Sequence, residues 1–216
     1  MTENPAVIIR KFRKNDREDL RRICYSTGFL GNPVSAFLDG DEIFADAITL
    51  YFTDYEPGSC LVAESQGKVV GYIIGAKDAR RVCRPGILFR ILAKIILSAA
   101  LFKPKNVLFI RNFLVSLFKG EFSEPDFSRE YPATLHISIQ DGQRGANIGA
   151  RLVDAYLGYL EEEDVRGVHF ATMSERASNF FSKQGFKLLY KGKRSYFNYI
   201  LHKELPLYIY GKRLAE

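Results

Sequence analysis

The 216-residue chain has few of the residues that build covalently or metal-stapled folds. Its three cysteines, Cys24, Cys60 and Cys83, are odd in number, scattered, and never form a CxxC pair. That excludes a disulfide scaffold and a thiolate zinc site, and it points to a reducing compartment, taken here as the cytoplasm. The three histidines, His136, His169 and His202, share no ligand spacing, so no metal is expected. A Gly-Lys-Ser/Thr phosphate loop and a GxGxxG dinucleotide fingerprint are both missing. The opening residues, MTENPAVIIRKF, lack a basic start followed by an apolar run, so no signal peptide is read there. Repeats and low-complexity tracts are missing as well. At 47% hydrophobic and 26% charged, the composition is that of a globular protein long enough to bury a core without staples.

Acidic residues are missing from one stretch in particular. Nine of the 31 Lys and Arg residues, and none of the 25 Asp and Glu, lie between Arg80 and Gly120. The formal charge of +6 therefore describes a mildly acidic chain carrying one cationic, apolar segment. Within it, Ile87–Phe102 and Asn106–Lys119 have helical patterns joined at Pro104, and their aliphatic and Phe side chains are expected to be buried by helix periodicity. A helix over Ile87–Phe102 would be about 24 Å long, short of a bilayer core of about 30 Å, and two charges interrupt it. The expectation is a single domain over residues 1–216 with a helical insertion at 80–130. Residues 80–120 suit a lid or homodimer interface, a peripheral contact with an anionic membrane, or a partner protein. No nucleic-acid partner is expected, because no exposed aromatic platform is interleaved with the charges.

Elsewhere the pattern is mixed. Val7–Phe12 reads as a strand, and Asn15-Asp16 with Glu18 and Asp19 as the start of a helix to about Ser26. Gly28–Gly40 reads as a loop. A second helix follows Asp39 or Asp41, with Ile43, Phe44, Ala47, Ile48 and Tyr51 on one face. Cys60–Glu64 and Lys68–Gly75 flank Ser65-Gln66-Gly67 as a hairpin. After the insertion come a strand at Thr134–Ile139, a helix at Ala150–Glu163, a strand at Gly167–Thr172 and a helix at Ser174–Lys183 closed by Gly185. Phe186–Tyr190 and Tyr196–Leu201 read as the terminal strands. The order is β-α-α-β-β, insertion, β-α-β-α-β-β: an α/β domain with a mixed, mostly antiparallel sheet flanked by helices.

One loop has the makings of an anion site. Arg144-Gly145-Ala146-Asn147-Ile148-Gly149 joins a strand to a helix, whose first-turn N–H groups lack intrahelical partners and carry partial positive charge. Small residues admit a ligand close to the backbone, and Asn tolerates left-handed φ.

With its flanks, HISIQDGQRGANIGARL followed by GVHFATMSERASNFFSKQGFKLL, this loop resembles the GNAT superfamily of acyl-CoA-dependent acetyltransferases. That pattern has a strand, an Arg/Gln-x-x-Gly-x-Gly/Ala loop, a helix, a strand, and Asn-x-x-Ala-x-x-Phe-Tyr-x-Lys-x-Gly-Phe. CLVAESQGKVVGYIIG looks like the family's hairpin and VIIRKFRKND like its opening unit. The resemblance covers about Val7–Lys77 and Ala133–Leu201.

The resemblance implies acetyl transfer from acetyl-CoA to a primary amine by direct attack in a ternary complex. It places the pantetheine arm along Ile137, Ser138 and Ile139. The pyrophosphate falls on Arg144, Gly145, Ala146, Asn147, Ile148, Gly149 and Ala150. Ser174 stands where the family usually has a cofactor-touching Asn, and Phe181 where it usually has a Tyr that protonates the departing thiolate. A phenyl ring donates no proton. Ser178, Tyr190 or water then becomes the candidate acid, or the thiolate leaves unassisted, and a catalytically silent acyl-CoA-binding sensor or scaffold is the alternative. His136 is the candidate base. Asp54, Tyr55 and Glu56 read as a solvated loop near the acceptor, and His169 as structural.

Overall fold

The computed structural model describes residues 7–82, 85–86, 89–90, 93, 102–143 and 147–214. Seven strands form one sheet: β1 (Val7–Lys11), β2 (Leu61–Ser65), β3 (Lys68–Ala76), β4 (Ala133–Ile139), β5 (Gly167–Thr172), β6 (Lys187–Arg194) and β7 (Leu205–Arg213). Their order across the sheet is β1-β2-β3-β4-β5-β7-β6. Every neighbouring pair is antiparallel except β4 and β5.

The helices sort onto the two faces by side-chain period. β3 is buried along nearly its whole length, as a strand covered on both sides must be. Its Tyr72 and Ile74 face α1 (Arg17–Thr27) and α2 (Asp41–Tyr55), packing with Leu20, Ile23, Cys24, Leu50 and Phe52. Ile73, one residue out of phase, packs on the opposite face. That face is covered by α4 (Ile148–Glu162) through Leu152, Val153, Tyr156 and Leu160, and by α5 (Glu175–Lys183) through Phe181. Arg21 of α1 is buried and ion-paired with Asp46 and Glu42 of α2, which locks the two helices together.

Local signals behave as the sequence suggests. Gln66 and Gly67 both take positive φ, 52° and 74°, the two-residue turn whose twist suits a hairpin. Gly185, at φ 78°, ends α5: its N–H donates to the Ser182 carbonyl, and the Phe186 N–H donates to the Phe181 carbonyl.

The C-terminal expectation is corrected. Tyr196–Leu201 is not a strand; Asn198–Leu201 forms a single helical turn, α6, and the last strand is β7. Pro206 disguises β7 in the sequence, because proline cannot donate to a ladder. The structure tolerates it because β5 stops at Thr172, opposite Tyr208, so at Pro206 only β6 lies alongside.

The insertion is also partly corrected. Its first expected helix, Ile87–Phe102, lies largely outside the described residues. The second forms as α3 (Pro104–Phe118), with Pro104 in its first turn. Its buried side chains include Asn106 and Ser116, while Val107, Leu108, Leu114, Val115, Leu117 and Phe118 are exposed. Periodicity therefore places a largely aliphatic face outward, the reverse of the expectation.

The inward side of α3 is tied down at both ends. The Asn106 amide donates to the Asp39 carbonyl (2.8 Å) and its Oδ1 accepts from the Asp39 N–H (2.7 Å). Beyond α3, the Glu121 carboxylate accepts from the Ser195 N–H (2.7 Å) and from the hydroxyls of Ser116 and Ser195. Arg194, buried, pairs with Glu124 and lies 4.4 Å from the Phe122 ring centre. Between these ties, Phe109 and Phe113 pack with Phe37, Tyr196 and Phe197.

Gly75 marks a close contact between helix α4 and the sheet. A Cβ there would overlap the Tyr156 hydroxyl and the Thr134 carbonyl, which are already hydrogen-bonded at 2.8 Å. Gly75→Ala is expected to cost about 1–3 kcal/mol of stability, read as a lowered midpoint in urea denaturation.

Candidate functional site

β4 and β5 run parallel for only two ladder pairs, Ala133 with Val168 and Thr134 with His169. Beyond Thr134 they part. From Leu135 to Ser138, β4 keeps its antiparallel register with β3, from Gly75 to Tyr72, and has no β5 partner. The opening leads into a cavity of about 650 Å³. One wall is β4 from Leu135 to Ile139, another is Phe170 to Ser174, and the floor includes Phe181. Asn147, Ile148, Gly149 and Ala150 at the start of α4 edge one end, and Thr27, Gly28, Leu30 and Gly31 after α1 edge the other.

The α4 end is closely packed around a left-handed turn. Asn147 sits at φ 57°, ψ 13°, the left-handed conformation its sequence position needs to turn the chain into the helix. A Cβ on Gly149 would lie 3.2 Å from Phe180 and 3.3 Å from Ile139, so this position has almost no spare room. The N–H groups of the first helical turn point out of the helix end, without intrahelical partners.

The α1 end is different in character. His136 and Ser138 alternate with the Leu135 and Ile137 side chains and face the α1 side, where the His136 ring lies 5.9 Å from Tyr72. The Ser138 hydroxyl is 3.5 Å from His136 Nε2. Burial pushes the imidazole down to about 4, so it is neutral at physiological pH. Met173 is fixed here by the Tyr196 hydroxyl, which donates to its sulfur at 3.3 Å. Through Tyr196, the aromatic group under α3 backs this wall. The described lining contains no Asp or Glu, and its one charged side chain is the exposed Arg176.

The site is thus a mixed sheet opened between two parallel central strands, with a helix N-terminus at the opening. The family model of the Acetyltransferase (GNAT) family matches residues 34–186. The chain belongs to the GNAT acetyltransferase family, whose members use acetyl-CoA as the acetyl donor. Among solved structures, the chain is similar to SsHAT, at 23% identity and a TM-score of 0.70, covering 98% of this chain and 100% of that one. It is also similar to a Drosophila melanogaster polyamine N-acetyltransferase that forms N-acetylagmatine, at 15% identity, TM-score 0.62, and 97% and 100% coverage. A third is yncA from Salmonella typhimurium, solved with its cofactor acetyl-CoA, at 13% identity, TM-score 0.58, and 98% and 95% coverage. No curated protein sequence matches the chain.

The cavity brings together many of the residues singled out in the sequence: His136, Ile137, Ser138, Ile139, Asn147, Ile148, Gly149, Ala150, Ser174 and Phe181. Arg144, Gly145 and Ala146 lie outside the described residues. Two candidates are placed elsewhere. The Ser178 hydroxyl is buried against the Tyr210 hydroxyl at 2.8 Å, outside the lining, and Tyr190 sits on β6 at the far edge of the sheet. Asp54 pairs with Arg17, and Glu56 accepts from the Lys77 N–H and the Tyr51 hydroxyl, so both act in the framework. His169 bonds the Tyr131 carbonyl oxygen at 2.5 Å. Thr27, Leu30, Thr172, Met173 and Arg176 line the cavity without having been singled out; the end of β5 opposite β4 was the signal for Thr172.

The neutral His136 carries a pH dependence. Between about 6.5 and about 4 the unfolded chain binds a proton that the folded imidazole does not. Stability therefore falls as pH drops through that window. A depression of that size corresponds to about 1–3 kcal/mol. His136→Gln is expected to flatten this part of the stability–pH curve, measured by urea denaturation at stepped pH.

Proposed function

We propose that the chain transfers the acetyl group of acetyl-CoA to the primary amine of an acceptor that enters from the α1 side. The observation that carries this reading is the opening between β4 and β5, lined at one end by a helix N-terminus and at the other by a neutral imidazole. The backbone of Ile137, Ser138 and Ile139 would hold the pantetheine arm in β-like fashion. The N–H groups from Arg144 through Ala150 would hold the pyrophosphate, with Ser174 and Phe181 against the arm. The thioester supplies an activated acyl carbon, so the protein's task is to position, polarise and move protons.

His136 would accept the proton that the amine loses as its nitrogen bonds to the acyl carbon. An imidazole with so low a pKa does not deprotonate a free ammonium ion, so the acceptor must arrive as the neutral amine. Phe181 offers the departing sulfur no proton. The hydroxyls of Ser138, Thr172 and Ser174 are candidate donors within the lining, where the Thr27 hydroxyl already donates to the Ile23 carbonyl, and water is the remaining source.

The acceptor's chemistry follows from what surrounds its entrance. Leu30, Met173 and Gly28 are apolar or neutral, and no carboxylate lines the described cavity. A polycation would leave its second charge unpaired there. The reading is therefore a single amine on an uncharged body. Phe181 supports the second reading, an acyl-CoA-binding domain without turnover.

Isothermal titration with acetyl-CoA is expected to give saturable binding that Gly149→Phe abolishes. Free-thiol release is then expected with alkyl and arylalkyl monoamines at kcat/KM values about tenfold or more above those for agmatine and spermidine. Higher values for the polyamines would overturn the acceptor reading. Tight binding with no thiol release from any amine would establish the silent domain instead.

A further inference from the structure

The least explained surface lies on α3. Its inward side carries Asn106, Phe109, Phe113 and Ser116, and its outward side carries Val107, Arg111, Leu114 and Phe118 on successive turns, flanked by Leu108, Val115 and Leu117. Phe118 is 88% exposed, and just before the helix Phe102 is 84% exposed. Phe89, also 71% exposed, adds to the apolar surface of the same stretch of chain. Single exposed apolar residues need no explanation, but a helix that buries Asn106 and Ser116 while leaving most of its aliphatic side chains outward does.

The charges show what covers it. Lys103, Arg111 and Lys119 are exposed at the start, middle and end of α3, and no acidic residue occurs from Arg80 to Gly120. Two negative groups beside α3 are held on its inward side: Asp39 pairs with Lys105, and Glu121 is drawn under the helix by Ser116 and Ser195. Among the described residues the outward strip is thus apolar, with Arg111 within it, Lys103 and Lys119 at its ends, and no acidic side chain of α3 on it. A symmetric contact with a second copy would set the cations of two such strips against each other, at a cost in like-charge repulsion. An apolar strip carrying Lys and Arg matches an anionic bilayer surface, where aliphatic side chains enter the acyl boundary and the cations meet headgroups. No helix among the described residues is long and apolar enough to cross a membrane, so the contact would lie in the interface plane.

We propose that the outward face of α3 docks this protein on anionic lipid bilayers. Because α3 also packs, through Phe109 and Tyr196, behind the wall carrying Leu30 and Met173, docking would place the acceptor entrance near the lipid surface. The docking itself does not depend on the proposed reaction.

The test is cosedimentation of the full chain with vesicles of phosphatidylcholine alone and of equimolar phosphatidylcholine and phosphatidylserine, at low and high salt. Binding is expected only to the mixed vesicles and is weakened by salt. Arg111→Glu and Leu114→Glu are each expected to lower the partition coefficient by about tenfold, with acetyl-CoA affinity unchanged in titration. No binding to the mixed vesicles, or equal binding to both kinds, overturns the proposal. Two further outcomes also overturn it. One is a wild-type mass of two chains by light scattering that Leu114→Glu halves, which assigns the face to a second copy. The other is a melting temperature lowered by Leu114→Glu without vesicle binding, which assigns it to other residues of this chain.

Discussion

The arrangement of the cavity depends on one constraint, the brevity of the parallel contact between β4 and β5. Two ladder pairs hold these strands at one end, and antiparallel neighbours hold their outer sides, β3 on one and β7 on the other. Right-handed twist then carries the unheld ends apart. Each strand remains straight enough to serve as a wall because its outer partner continues past the point of separation. The cavity is therefore a product of sheet topology, and the side chains around it refine a space that the backbone has already made.

The same topology divides the labour among the helices. α4 and α5 cover one face and bring Asn147, Gly149, Ser174 and Phe181 to the opening. α1 and α2 cover the other and leave the loop after α1 beside His136. Cys24 and Cys60, in the core of that second face, are pushed up to about 11 and about 12 by burial, so these thiols are packing residues and not nucleophiles. The basic segment enters this scheme as a buttress. Asn106 and Glu121 fasten it to the loop after α1 and to the residue that follows β6.

What the sequence made legible was local. Asn147 could be assigned left-handed φ from its place in the loop, and Gly185 could be assigned the end of α5, because each answers to its own backbone geometry. The hairpin over Gln66-Gly67 was legible for the same reason. β7 was not, since the tolerance of Pro206 depends on where a different strand, β5, stops. The orientation of α3 was hidden too: its apolar residues outnumber its polar ones, and which side turned inward was decided by Asp39, Ser195 and Tyr196, far away in the chain. The cavity-lining set was legible where a motif carried it and missed at Leu30 and Met173, whose position is purely tertiary. Ser178 shows the converse, a residue close to the motif whose hydroxyl is already committed to Tyr210.

An interrupted ladder in the middle of a sheet also has a bearing on misassembly. An open edge on the rim of a sheet is a template for pairing with another chain, and proteins defend such edges with charge, proline or bulges. Here the interrupted strands face each other across a wedge closed at Thr134 and His169. A strand from a neighbouring molecule could enter only end-on, bringing its side chains against both faces of the sheet. The interior edges are protected by shape, without the substitutions that an outer strand needs, and they remain accessible to a slender, chain-like molecule.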